Sequence, residues 1–212
     1  MTLDLTSKVT SKLTSKPDIH YLDNQIKTKK PEFSFFKKPI SNTIPYRTIN
    51  VLDAYNLIKG HWNIVSTITL RKLCDPERAR KFKANQFNYA CFSGIFTKRG
   101  DKYLVQHSSL LVLDFDHLLH VDEIRGKLLN DEYLETVLLF RSPSGDGLKW
   151  VIEVDISILD HKSYFKAVSN YLMQTYQLQV DGSGKDIGRA CFLPYDPEVY
   201  INPKYLDHEK RI

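Results

Sequence analysis

The chain has 212 residues, of which 42% are hydrophobic and 12% aromatic, so it carries enough apolar surface for one sizeable core. No run approaches the roughly 20 apolar residues of a membrane span, and the first residues lack the apolar stretch of a secretory signal. The sequence therefore predicts a cytoplasmic protein without membrane partners. Cys74, Cys91 and Cys191 are odd in number and far apart, which favours neither a disulfide framework nor a zinc knuckle.

The net charge of +5 is concentrated at the N-terminus. Residues 1–50 contain nine Lys or Arg and four Asp or Glu, whereas residues 51–212 contain 21 of each kind. The first 31 residues are also rich in Ser, Thr and Lys, a composition that struggles to offset the entropy lost on ordering. We expect a mobile or extended basic arm over residues 1–31 and a single domain over residues 32–212.

The first part of that domain, residues 32–109, is predicted to be a mostly helical extension with some strands. Asn50 is a suitable N-cap for a helix over residues 51–59. The run Asp75-Pro76-Glu77 combines a cap, a first-turn proline and an early acid, which predicts a second helix start. The cations of that second helix are Arg78, Arg80, Lys81 and Lys83. They form either a solvated face or a contact surface for nucleic-acid phosphates.

The second part, residues 110–203, is predicted to be the part of the domain that carries the catalytic-type site. Residues 110–194 within it read β-α-β-β-α-β, with an almost continuously apolar first strand over residues 110–116. The middle two strands form a hairpin across the loop Ser142–Gly147, and the last strand falls within residues 178–193. This is the split βαβ, or RRM-like, α+β arrangement, in which one antiparallel sheet of four strands has both helices on one face. The other face is expected to be free for a site.

Two acids end the first core strand. Asp114 and Asp116 are two residues apart, so the strand period places both carboxylates on one face while Phe115 points into the core. Carboxylates at this spacing are typical ligands of Mg²⁺ or Mn²⁺, and such a pair often serves two metals. The alternative is that the acids only end the strand and face water.

Two later segments carry groups that bind phosphate. The hairpin loop offers the hydroxyls of Ser142 and Ser144, the backbone of Gly145 and the nearby ammonium of Lys149, although such a loop is often only a turn. The Gly-rich segment after the second helix of residues 110–203 combines Asp181 with Lys185 and Arg189. It is either a third metal ligand beside phosphate-binding cations or an exposed connecting loop.

Three of these features match the motifs of one superfamily. Leu113-Asp114-Phe115-Asp116 fits an apolar residue followed by Asp-x-Asp, and Val180-Asp181 fits an apolar residue followed by Asp. The hairpin motif is matched in part, because Lys149 occupies the position where histidine is expected. The chain thus resembles the archaeo-eukaryotic primase, or primase-polymerase, superfamily over roughly residues 70–203. Within it the chain is similar to the N-terminal domain of virulence-associated-E-type proteins, through Phe92-Ser-Gly-Ile-Phe96 and Arg189-x-Cys-Phe-Leu-Pro-Tyr-Asp-Pro197.

The resemblance implies a metal-dependent nucleotidyltransferase that acts in DNA replication of a bacterial or mobile genetic element. Asp114, Asp116 and Asp181 would be the catalytic residues and would hold two Mg²⁺ or Mn²⁺ ions. The phosphates of a nucleoside triphosphate would be bound by Ser142, Ser144, Gly145, Lys149, Lys185 and Arg189. Nucleic acid, with a DNA template or an RNA primer, and a helicase domain or partner are the expected partners.

Two other functions are compatible with the same residues. The replacement of histidine by Lys149 favours a catalytically inactive nucleic-acid-binding module attached to a helicase or replication protein. A metal-dependent nuclease would use the same acids to activate water, although the sequence shows no added general base for it.

Overall fold

The structure, a computed structural model, describes residues 30–206, which form five α-helices and ten β-strands. The predicted basic arm, apart from its last two residues, lies outside the described residues. The helices are α1 (Val51–Lys59), α2 (Ile64–Arg71), α3 (Pro76–Gln86), α4 (Val121–Leu129) and α5 (His161–Tyr176). The strands are β1 (Glu32–Phe36), β2 (Arg47–Asn50), β3 (Tyr89–Cys91), β4 (Gly94–Phe96), β5 (Leu104–His107), β6 (Leu110–Phe115), β7 (Thr136–Arg141), β8 (Leu148–Glu153), β9 (Cys191–Phe192) and β10 (Tyr200–Ile201).

The strands build two antiparallel sheets of four strands and one separate hairpin. The first sheet has the order β2-β1-β3-β9, the second has the order β10-β7-β8-β6, and β4 pairs with β5. The fold is therefore mixed α+β with antiparallel sheets, as the sequence predicted. Residues 32–109, predicted as a mostly helical extension with some strands, contain helices α1–α3 and strands β1–β5, and three of these strands build most of the first sheet. No helix within residues 30–206 has the length and apolar character needed to cross a membrane.

The second sheet contains the predicted order β6-α4-β7-β8-α5 but not the predicted last strand. After α5 the chain runs beside β6 for one hydrogen bond, from the N–H of Asp181 to the carbonyl oxygen of Asp114 at 2.9 Å, and then enters a 3₁₀ turn over Gly182–Lys185. The later strand β9 pairs with β3 of the first sheet, and β10 fills the fourth place beside β7. A glycine-rich segment that turns at once cannot extend the pairing with β6.

Alternate residues of β6 face two different cores. Leu111, Leu113 and Phe115 pack with the apolar sides of α4 and α5, so both helices cover one face as predicted. Leu110 and Val112 pack on the other side against the first sheet and α1. The face expected to be free is thus mostly buried, and it opens only at the end of β6, where the two acids lie.

The predicted helix starts are confirmed by their hydrogen bonds. The Asn50 side chain accepts from the backbone N–H groups of Leu52 and Asp53, and the Asp53 carboxylate accepts from the N–H of Asn50, which completes a capping box at α1. The Asp75 carboxylate accepts from the N–H of Arg78 at 2.7 Å at the start of α3. Local sequence therefore determines where these two helices begin.

Truncating a buried side chain of α5 should destabilise the protein. Leu172→Ala removes a fully buried side chain, and we expect it to lower the free energy of unfolding by about 3 kcal/mol in urea denaturation. The control Leu119→Ala changes a side chain that is 93% exposed and should stay within about 0.5 kcal/mol of the wild type. Similar losses in the two variants would contradict this packing.

Candidate metal centre and the adjoining cleft

The centre begins at the end of β6, where Asp114 and Asp116 lie on the predicted common face. Asp114 is the last but one residue of the strand and is 7% exposed, whereas Asp116 follows the strand and is exposed. Phe115 between them is fully buried in the core that β6 shares with α4 and α5. The period of two thus separates one apolar side chain from two carboxylates.

Asp181 is brought to this point by backbone pairing. Its N–H donates to the carbonyl oxygen of Asp114, and its carboxylate accepts from the N–H of Ser183 at 3.0 Å, which caps the 3₁₀ turn that follows. Asp114, Asp116 and Asp181 each offer one carboxylate oxygen, and these atoms all lie within 4.8 Å of one another. The three predicted ligands therefore converge.

Two cations balance part of this charge. Lys149 faces Asp114 across the β6–β8 pair, is 8% exposed, and its ammonium donates to Asp114 Oδ2. The guanidinium of Arg189 donates to Asp181 Oδ2 at 2.8 Å and lies 3.6 Å from Asp114 Oδ2. Three carboxylates against two cations leave the centre with one uncompensated negative charge.

At this centre, one oxygen of the Asp114 carboxylate has no partner among the described residues. Asp114 Oδ1 is inaccessible and has no hydrogen bond within the described part of the chain, although an ionised carboxylate can accept about four. Burial raises the pKa of Asp114, against the opposing effect of Lys149, because the low-dielectric surroundings disfavour its charge. Burial would also raise the pKa of Asp181, but hydrogen bonds from Ser183 and the charge of Arg189 lower it overall. An oxygen-binding divalent cation would supply what Asp114 Oδ1 lacks, so the residues present fit such an ion.

The centre opens into a cleft of about 590 Å³ between the two sheets. Besides Lys149 of β8, three cations from separate elements reach it, namely Lys83 of α3, Arg99 of the β4–β5 loop and Arg189. Arg99 also lies over the ring of Tyr89, 5.3 Å from its centroid. The other side chains that line the cleft include Ile40, Asp101, Asp186, Ala190 and Phe192. A polar cleft with cations beside an acidic centre suits a ligand that carries phosphates.

Sequence reasoning had not identified Arg99, Ile40 or Phe192 as site residues. They come from segments far apart in the chain. Phe192 lies in the Arg189–Pro197 segment that carries the family resemblance, whereas Ile40 and Arg99 lie in no motif with recognisable spacing. Arg99 is followed by Gly100, where φ is 135° and a side chain is disfavoured.

The hairpin loop does not line the cleft, although its residues were predicted to bind phosphate. Ser142, Ser144 and Gly145 are absent from the cleft lining. The loop packs instead on Arg71, whose guanidinium donates to the carbonyl oxygens of Ser142 and Pro143 at 3.3 Å each. A Cβ at Gly145 would lie 2.9 Å from Arg71 Nε. Binding of phosphate by this loop stays a prediction.

The other predicted cations divide between cleft and solvent. Lys149 and Arg189 line the cleft, whereas Lys185 is exposed and does not. On α3, which has no buried residue, Lys83 lines the cleft and Lys81 pairs with Glu77 at 2.7 Å. The remaining two cations of that helix, Arg78 and Arg80, are exposed. The basic helix therefore borders the cleft through one of its four cations.

Removing Lys149 should destabilise the protein, because the buried carboxylate of Asp114 would lose its partner. In EDTA, Lys149→Met should lose about 3 kcal/mol of unfolding free energy, because it leaves an uncompensated buried charge. The matched double variant Asp114→Asn/Lys149→Met removes both charges and should recover most of that loss. Added Mn²⁺ should stabilise Lys149→Met more than the wild type in the same denaturation. Equal stability of Lys149→Met and the wild type in EDTA would show that the pair is not needed.

A family model described as BT4734-like, N-terminal domain, matches residues 81–201, which is more than half of the chain. No curated protein and no solved structure matches it. The matched segment contains the three converging aspartates together with Lys149 and Arg189.

Proposed function

We propose that this chain, which belongs to the family of BT4734-like N-terminal domains, is a metal-dependent nucleotidyltransferase of primase-polymerase type. The observation that carries the proposal is that Asp114, Asp116 and Asp181 each bring one carboxylate oxygen within 4.8 Å of the others, and that Asp114 Oδ1 is buried without a partner among the described residues. The resemblance of their motifs to primase-polymerases and the RRM-like order of the elements up to α5 add support. We propose replication of a bacterial or mobile genetic element as its setting.

The three aspartates would hold Mg²⁺ or Mn²⁺ ions. When bound, the metal would stabilise the charge that develops on the attacking and leaving oxygens of a phosphoryl transfer. The centre by itself has one uncompensated negative charge, because Lys149 and Arg189 oppose three carboxylates. The negative triphosphate of a nucleotide would add the charge needed to hold a second ion, as the two-metal expectation requires.

The reaction we propose joins a nucleotide to a growing strand. A 3′-hydroxyl attacks the α-phosphorus of a nucleoside triphosphate, the bond to the β-phosphate breaks, and pyrophosphate leaves. Arg189, Lys83 and Arg99 would bind the phosphates, because all three line the cleft that leads to the aspartates. Their main contribution is to align the phosphate with the hydroxyl.

A second function, a catalytically inactive module that binds nucleic acid beside a helicase, is favoured by one contact. Lys149, where the superfamily has histidine, donates to Asp114 Oδ2 and so occupies one of the ligand oxygens. Metal binding must then use the remaining oxygens or displace the ammonium. Incorporation of labelled nucleotides on a primed template, with Mg²⁺ and with Mn²⁺, separates the two functions.

The aspartates should be required for metal binding and not for folding. Asp114→Asn/Asp116→Asn keeps the side-chain shapes but removes two charges, so Mn²⁺ binding by calorimetry and nucleotide incorporation should both be lost. The control Asp186→Asn removes an exposed carboxylate that lines the same cleft outside the triad, and its Mn²⁺ affinity should stay within about threefold of the wild type. Wild-type Mn²⁺ affinity in the double variant would overturn the metal centre.

The basic side of α3 should contribute salt-dependent affinity for nucleic acid. Each phosphate contact releases counterions, so Arg80→Ala/Lys83→Ala should reduce the slope of log K against log salt by about 0.7 per lost contact in fluorescence anisotropy. Lys162→Ala/Lys166→Ala removes two exposed cations from α5 as a matched control and should leave the slope unchanged. Equal slopes for all three proteins would place the binding surface elsewhere.

A further inference from the structure

Two histidines outside the metal centre form a hydrogen-bonded pair beside the segment that carries Asp181. His107 is the last residue of β5, and His161 is the first residue of α5 and is 4% exposed. His107 Nε2 lies 3.1 Å from His161 Nδ1, and His161 Nε2 lies 3.2 Å from the carbonyl oxygen of Gly184. The pair thus connects the end of β5 to the 3₁₀ turn after Asp181.

The two ends of this connection determine its direction. The backbone N–H of Ser109 donates to His107 Nδ1 at 2.9 Å, so that nitrogen must be the acceptor. The carbonyl oxygen of Gly184 can only accept, so His161 Nε2 must carry a proton. His107 then donates from Nε2 to His161 Nδ1. In this chain of three hydrogen bonds from Ser109 to Gly184, called the relay below, two neutral rings satisfy every donor and acceptor. Ser109 itself has φ of 61°, in the left-handed region, directly before β6 begins.

A further proton on either ring would break the relay. Protonated Nδ1 of His107 would face the N–H of Ser109, and protonated Nδ1 of His161 would face the Nε2–H of His107. Burial and the neighbouring His161 lower the pKa of His107 to about 4. Burial also lowers the pKa of His161, against the opposing effects of the Gly184 carbonyl and of Asp101, Asp160 and Asp186. Both rings are therefore neutral at neutral pH.

Gly184, the end point of the relay, is closely packed beside the metal centre. A Cβ at this position would lie 2.6 Å from Phe165 Cε2 and 2.9 Å from the carbonyl oxygen of Val112, two residues before Asp114. Its N–H donates to the carbonyl oxygen of Asp181 at 3.1 Å. One short turn therefore joins the atom held by His161 to the backbone of a proposed metal ligand.

The hairpin of β4 and β5 holds the same segment at a second point. The N–H of Gly188 donates to Asp101 Oδ1 at 2.7 Å, and a Cβ at Gly188 would lie 2.9 Å from the Cα of Gly100. Between these two points lies the chain from Gly184 to Gly188, with Asp181 three residues before it and Arg189 one residue after it. The hairpin thus restrains both residues that flank Asp114.

We propose that His107 and His161 are positioning residues, which fix Gly184 through a one-directional relay of neutral rings and thereby hold Asp181 in place to bind metal. This inference rests on the proposed function for its consequence in metal binding. The relay itself also restrains the Asp181 backbone when no metal is bound. Neither histidine lines the cleft that is proposed to bind the substrate, so both are assigned a positioning role and not a catalytic one.

Two substitutions of His161 separate the relay from simple packing. The amide nitrogen of glutamine reaches the place of Nε2 and can still donate to Gly184, whereas that of asparagine reaches only the place of Nδ1. In calorimetry with Mn²⁺ alone, His161→Asn should bind about 10-fold more weakly than the wild type, and His161→Gln should recover most of the affinity. The control His61→Asn makes the same change at an exposed histidine and should have no effect. Equal loss in both His161 variants would reduce the residue to a packing role and overturn the proposal.

Amide hydrogen exchange in the metal-free protein provides the second readout. His161→Asn should accelerate exchange of the Asp181 and Gly184 amides, while the amides of β7 keep their protection and so show that the variant is folded. Long-range ¹H–¹⁵N spectra of the wild type should show protonated Nε2 and unprotonated Nδ1 on both rings. If the wild type bound no Mn²⁺ but the Asp181 amide lost protection in His161→Asn, the relay would stand and the metal function would fail. Unchanged Asp181 exchange, or any other tautomer, would overturn the relay.

Discussion

The buried carboxylate of Asp114 is the group around which the rest of the centre is arranged. A charge at this depth is costly unless it is paired, and the antiparallel register of β6 with β8 places Lys149 opposite it. The backbone carbonyl of the same residue accepts from Asp181 and so brings the third carboxylate and its partner Arg189 to the same place. One residue thus links the core strand to the segment after α5, and its Oδ1 has no partner within residues 30–206.

The parts of this arrangement that the sequence predicted are those specified by local patterns. Alternation along β6 separates Phe115 from its two acidic neighbours, and Asn50 and Asp75 each carry a side chain that bonds within three residues. The convergence of Asp181 with the pair was also expected, because the acids lie at the ends of elements in one predicted sheet. In that case the correct proximity came from one backbone hydrogen bond and not from the expected fourth strand.

The parts that the sequence did not predict depend on contacts between distant segments. The pairing of β9 with β3 joins positions about 100 residues apart, and no local pattern distinguishes it from pairing with β6. The hairpin loop resembles a phosphate-binding turn, yet Arg71 donates to its carbonyl oxygens from about 70 residues away. Arg99 reaches the cleft only because Gly100 and Gly188 allow two loops to approach closely. Contacts between such distant segments form only when the chain folds, so no short stretch of sequence specifies them.

The first sheet is as much a part of the site as the second. It covers the face of β6 that carries Leu110 and Val112, and it places Ile40 and Phe192 in the lining of the cleft. The family match over residues 81–201 contains β3 and β9 but not β1, which pairs with β3 and contributes Phe33 to the shared core. Without β1 one edge of β3 would be unpaired, and the core on this side of β6 would lose Phe33 and Phe35. The folding unit therefore extends N-terminally beyond the matched segment, because the strand that carries Asp114 is covered on both faces.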